Sequence, residues 1–144
     1  MENTPDELSA LSTAIRQGTW RFARRLRAER GDADLSNLQR SVLIALSGTK
    51  KLTPSQLAEH ERVQPPVMTR TVNALEELGL VNKEPCPDDK RQVLVGLTAA
   101  GRADAEATHR RRESWLVSRL QELSPSDREV LTRAAELLTE ISRK

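Results

Sequence analysis

Four short segments of this chain announce helix starts, and together they constrain the fold more than any other feature. Thr4-Pro5-Asp6-Glu7, Ser36-Asn37-Leu38-Gln39, Thr53-Pro54-Ser55-Gln56 and Ser124-Pro125-Ser126-Asp127 each set a hydroxyl residue three positions before an acid or amide. This is the capping-box spacing: the hydroxyl accepts from an orphan backbone N–H, and the later side chain reaches back to the cap. Three of the four also place proline at the first helical position, where its missing N–H costs nothing. Gly31, Gly48 and Gly79 stand where helices are expected to stop, since glycine enters the left-handed cap without strain.

Between these marks the apolar residues recur at helical spacing. Leu8, Leu11, Ile15, Phe22 and Leu26 form one stripe, and Leu35, Leu38, Val42, Leu43 and Leu46 form a second. A short third helix from Pro54 carries Leu57 and Ala58, and a fourth from about Pro65 carries Met68, Val72, Leu75 and Leu78. After Gly79 the period changes. Val93, Val95 and Leu97 alternate with Leu94 and Gly96, as in a half-buried strand, and Leu80 to Glu84 is a short partner for it. Pro85 to Arg91 is proline-rich and charged, so the unit reads as a hairpin with an exposed tip. Helical spacing returns after Thr98 with Trp115, Leu116, Leu120 and Leu123, then in a last helix with Val130, Leu131, Ala134, Leu137, Leu138 and Ile141. The expectation is a mainly α chain: a winged helix-turn-helix with a small β-hairpin wing, plus a helical dimerisation domain drawn from both termini. The expected divisions are 1–34, 35–98 and 99–144.

With 37% hydrophobic and 31% charged residues the chain reads as an ordinary soluble globular protein. Its acidic opening from Met1 is unlike a signal peptide, and its longest apolar run, Val42 to Leu46, is too short to span a membrane. The single cysteine, Cys86, excludes an intrachain disulfide, so a cytoplasmic location is expected. Net charge is only +2, and residues 48–98 balance seven Lys/Arg against seven Asp/Glu. A nucleic-acid function therefore has to rest on where particular side chains point.

The second helix of a helix-turn-helix presents its first turns to base edges in the major groove. With Met68, Val72, Leu75 and Leu78 facing inward, the outer face holds Pro66, Thr69, Arg70 and Asn73, with Gln64 just before the helix. Arginine forks onto guanine, Asn or Gln onto adenine, while Thr69 and the helix start suit a phosphate. Glu76 and Glu77 would repel phosphate and confine contact to the first two turns. At the hairpin tip, Asp89-Lys90-Arg91 puts a carboxylate two residues before an arginine, positioned to orient it toward a narrow minor groove. A merely solvated helix face and a merely solvated charged turn are the alternatives for these two sets.

Five collinear fragments resemble the MarR family of bacterial regulators: Lys51 to Glu59, Val67-Met-Thr-Arg70, Leu75 to Val81, Asp88-Asp-Lys-Arg91 and Leu97-Thr-Ala-Ala-Gly-Arg102. The match is strong over residues 35–102 and extends to both ends by length and pattern. The resemblance implies a winged-helix homodimer with intertwined terminal helices, bound to double-stranded DNA at a palindromic operator. It further implies a repressor, often released by a small aromatic or anionic effector. Thr69 and Arg70 fall on the family's recognition helix, and Asp89 and Arg91 on its wing, where the arginine reads the minor groove. This chain departs from the pattern in three ways. Lys83 stands where many relatives have arginine. The reactive cysteine that redox-sensing members carry near the start of the first helix is missing. His60, His109 and Cys86 are too far apart in sequence for the ligand set of metal sensors, so no cofactor or metal is expected.

Arg16 and Trp20 stand four apart on one face of the first helix, where charge and stacking suit an aromatic carboxylate effector. The competing reading is that Trp20 packs at the dimer interface. The run His109-Arg-Arg-Arg112 reads as a solvated face or as partners for Asp104, Glu106 and Glu113, and Cys86 as an inert thiol. A winged-helix protein-interaction module without DNA binding would need an apolar or acidic outer face on the fourth helix and an unsupported wing arginine. An enzyme would need a phosphate loop, a ligand cluster or a nucleophile set, and the sequence offers none.

Overall fold

The computed structural model describes residues 3–31, 34–48 and 51–144. The acidic start at Met1 and Glu2 lies outside them. Each hydroxyl opens its expected helix. Thr4 accepts from the Glu7 N–H and Glu7 reaches back, opening α1 (Pro5–Ala28). Ser36 and Gln39 exchange the same two bonds before α2 (Asn37–Gly48). Thr53 and Gln56 do so for α3 (Pro54–Glu61). Ahead of α6 (Pro125–Ser142) only half of the box forms. Ser124 accepts from the Asp127 N–H, but the aspartate, one methylene shorter than glutamate, does not close it. Thr98 supplies a further cap for α5 (Ala99–Gln121), accepting from the Gly101 N–H.

The glycine stops divide. Gly79 takes the left-handed conformation at φ 74 just after α4 (Pro65–Glu77), as expected. Gly48 does end α2, but neither it nor Gly31 adopts positive φ, which corrects the left-handed cap expected at both. At Gly31 the need is close approach: a Cβ there would lie 2.7 Å from Asp104 Oδ1 and 2.8 Å from Thr108 Oγ1. The left-handed turn between α3 and α4 falls instead on Arg62, at φ 54.

Strands β1 (Val81–Pro85) and β2 (Val93–Leu97) pair antiparallel, with Val81 opposite Leu97 and Pro85 opposite Val93. Leu52 adds a third edge by exchanging two backbone bonds with Val95, at 2.8 and 3.2 Å. The expected alternation in β2 is blurred, because Val95 and Gly96 are both buried. Val95 faces the core, whereas the bare face of Gly96 lies under the stem of Lys51.

The core lies within the central portion. Val42, Leu43 and Leu46 of α2, Leu57 of α3, and Met68, Val72 and Leu75 of α4 close around Val81 and Val95, with Leu35 and Ala105 at its margin. Leu78, expected on that stripe, is 56% exposed because α4 has already ended at Glu77. By contrast, α1 and α6 bury none of their residues. Leu8, Leu11, Ile15 and Phe22 on α1, and Val130, Leu131, Leu137 and Ile141 on α6, are open to solvent in the single chain.

Candidate nucleic-acid interface

Packing decides which side of α4 is available. With Met68, Val72 and Leu75 sealed in the core, Pro66, Thr69, Arg70 and Asn73 lie exposed on the opposite side, and Gln64 is exposed at the N-cap. Gln64 makes no side-chain cap bond, so it does not satisfy the first-turn N–H groups of α4. The start of the helix carries its positive dipole end to the surface with no acidic residue in the first turn. Thr69 donates its hydroxyl to the Pro65 carbonyl at 3.1 Å, which fixes the rotamer and leaves its lone pairs outward. Among the described residues none hydrogen-bonds or ion-pairs the Arg70 guanidinium.

Asn73 is held, a feature the sequence did not reveal. Lys83 on β1 donates its ammonium to Asn73 Oδ1 and also pairs with Glu76 Oε1 at 3.4 Å. One cation thus ties the wing to the outer face of α4. It also offsets Glu76, one of the two acids expected to repel phosphate.

At the wing tip the backbone closes through Cys86 N–H to the Gln92 carbonyl and Gln92 N–H to the Asp89 carbonyl, both at 3.0 Å. Inside that turn Asp89 grips Arg91 three times. Oδ1 accepts from the Arg91 backbone N–H and from Nε, each at 3.1 Å, and Oδ2 accepts from Nη2 at 3.4 Å. The Arg91 side chain nevertheless remains 92% exposed. The Arg91 guanidinium, and then its backbone N–H, hold the Asp89 carboxyl below the usual carboxylate range. The tip therefore presents a cation oriented by its carboxylate at the end of the hairpin, with Lys90 exposed beside it.

Arg16 and Trp20 both lie exposed on α1, and the Arg24 guanidinium stands 5.5 Å above the Trp20 ring. A separate hollow, lined by Glu29 together with Ala107, Arg110, Arg111, Ser114 and Trp115 of α5, contains neither residue. There Arg25 covers the Trp115 ring at 4.6 Å, and the Phe22 ring lies tilted beside it with centroids 6.2 Å apart. The sequence spacing placed Trp115 on a helical stripe but did not reveal these partners, which sit some ninety positions away. His109 meets Glu113 at 3.9 Å one turn on, and Cys86 is half-buried. Among the described residues no helix is long and apolar enough to cross a membrane, and no His/Cys/Asp/Glu cluster is arranged to hold a metal ion.

Comparison with known proteins agrees with this architecture. The MarR family profile matches residues 35–93. An uncharacterised HTH-type transcriptional regulator of Mycobacterium leprae is 38% identical over 136 residues, 94% of this chain and 95% of the relative. Among solved structures, a MarR family protein of Bacillus stearothermophilus superposes with a TM-score of 0.86, covering 99% of this chain and all of that one, at 20% identity. A cysteine-to-serine variant of Escherichia coli MarR, solved with operator DNA, superposes at 0.69 with 26% identity, covering 95% and 99% of the two chains. With 31% identity to Escherichia coli MarR over 112 residues, 76% of this chain and 78% of that one, and the profile matched from residue 35 through the helix-turn-helix to the start of β2, the chain belongs to the MarR family.

Proposed function

We propose that the chain is a cytoplasmic, sequence-specific repressor that grips a palindromic operator as a homodimer. The observation that carries this is the threefold clamp of Asp89 on an outward Arg91, set directly after a helix-turn-helix whose recognition helix exposes polar residues and Arg70 in its first two turns. Thr69, Arg70 and the start of α4 face the major groove in this reading. The wing then carries Arg91 into the neighbouring minor groove, where negative potential is focused. The bare apolar faces of α1 and α6 supply the two-fold contact, which sets the recognition helices one DNA turn apart, ~34 Å.

Release by a small aromatic or anionic molecule is the second part of the proposal. Arg16 and Trp20 share a face of α1, and the Trp20 ring already accepts a guanidinium from Arg24. A planar carboxylate would find charge and a π-face together there. Arg16→Ala should then lose effector release while operator binding persists.

Salt-dependent binding to fragments of the gene's own upstream region tests the DNA reading, with Arg70→Ala and Arg91→Ala beside the wild type. Each substitution should weaken binding to one palindromic fragment by ~1–3 kcal/mol, as for a lost groove contact. Equal, weak binding of all three proteins to every fragment would overturn it.

A further inference from the structure

We propose that Lys83 sets the base preference of the recognition helix by fixing which edge of the Asn73 amide faces DNA. The inference rests on the DNA-binding reading above and adds a specificity-determining residue to it. A free asparagine reads adenine by accepting from N6–H with its oxygen while donating to N7 with its nitrogen, so both atoms must face the base. Here the amide is not free. Lys83 donates to Asn73 Oδ1, and Glu76 Oε1, 3.4 Å from the same ammonium, holds that ammonium in place.

The sense of the contact follows from chemistry. An ammonium has three donors and no acceptor, so the amide must turn its oxygen, never its nitrogen, toward Lys83. Lys83 extends from β1, so that oxygen faces the wing. The –NH2 group, for which the structure gives no partner among the described residues, is left at the outer face of α4. A group presenting two donors and no acceptor matches the edges that present acceptors: O6 and N7 of guanine, or O4 of thymine. Lys83 is thus a positioning residue, and its charge is partly spent on Glu76 rather than on a phosphate.

The experiment selects binding sites for the full-length dimer from a randomised pool of DNA duplexes. The wild type runs beside Asn73→Ala and Lys83→Met, the latter keeping the stem and removing the ammonium. Comparison of wild type with Asn73→Ala identifies the base position that residue 73 reads. At that position the wild type should favour guanine or thymine over adenine, and Lys83→Met should move the preference toward adenine by about tenfold. Lys83→Arg, which restores a donor without an acceptor, should recover the wild-type preference. Adenine favoured by the wild type, an unchanged preference in Lys83→Met, or no position altered by Asn73→Ala would each overturn the proposal while leaving DNA binding intact. Failure of the wild type to enrich any sequence would overturn the DNA-binding reading itself, and this inference with it. Thermal melts of each variant separate lost specificity from lost folding.

Discussion

Arg40 on α2 and Asp104 on α5 meet at 3.4 Å with side chains only 2% and 6% exposed, sixty-four residues apart in sequence. Thr108 joins them, accepting from Arg40 Nη1 at 3.1 Å and from the Gly31 N–H at 2.9 Å. The cluster ties α2 and the segment after α1 to the long helix α5. Close by, burial first, and then Arg40 and Arg27, push the Arg112 guanidinium below its ordinary value. Positive charge is therefore crowded at this junction, and Asp104 is a carboxylate paired with Arg40 there. Taking a carboxylate away from a buried charge costs more than the pair contributes, so Asp104→Ala should be destabilised, by up to ~3–5 kcal/mol. The double variant Arg40→Met, Asp104→Leu should lose much less. Urea unfolding measures both, and an Asp104→Ala curve superimposable on the wild type would refute the assignment.

Gly101 makes the opposite of the usual substitution rule. In an exposed helix, glycine to alanine gains up to about 1 kcal/mol. Here an added Cβ would stand 1.9 Å from the Leu80 carbonyl oxygen and 2.9 Å from its carbon, where the first turn of α5 crosses the end of the recognition unit. That oxygen also accepts from the Thr98 N–H at 3.1 Å, so it is not free to move away. Gly101→Ala should lower the melting temperature, with a cost of ~1–3 kcal/mol from overpacking. A melting temperature at or above the wild-type value would show that the crossing yields.

The contrast between Gly79 and Gly31 marks what local sequence can convey. Helix starts, the turn at Gly79 and the Asp89–Arg91 clamp involve partners two to four residues apart, so spacing alone encodes them. Gly31, Arg40 and Trp115 answer to partners tens of residues away, and neither propensity nor periodicity carries that information. The bond between Lys83 and Asn73 joins a strand to a helix across a turn, and only the folded hairpin brings the two together. Leu78 continued the helical period on paper but lies beyond the last turn of α4, so the period outlived the helix. Arg62 holds a left-handed turn where no glycine announced one.

The Asp89 carboxyl should titrate where its contact with Arg91 dictates. A depressed folded-state pKa means that its contribution is present above the unfolded value and lost only as pH falls through the folded one. The clamp is therefore intact at neutral and mildly acidic pH. NMR titration of the Asp89 carboxyl carbon should place its midpoint lower in the wild type than in Arg91→Ala, since that arginine supplies the largest lowering effect. Asp89→Asn should weaken operator binding less than Arg91→Ala does, because the arginine stays charged but loses its fixed aim. Equal midpoints in the two proteins would mean that the clamp does not form in solution.

The apolar residues left bare on α6 give the last test. Val130, Leu137 and Ile141 lie within one helical stripe at 66%, 40% and 64% exposure, and α1 presents Leu8, Leu11, Ile15 and Phe22 in the same state. Isolated chains seldom expose such contiguous surface, and burying each leucine or isoleucine is worth ~1.5–3 kcal/mol. In a two-fold dimer every substitution counts twice. Leu137→Glu should therefore shift the mass by light scattering at micromolar concentration from twice that of the chain to that of a single chain. Helical content should fall as well, because α1 and α6 have no fully buried residue within one chain to hold them. Operator affinity should fall with the mass, since one recognition helix then meets only one half-site. A Leu137→Glu protein that remains dimeric would move the contact away from this face of α6. A wild type already monomeric at that concentration would remove the dimer from the proposed function altogether.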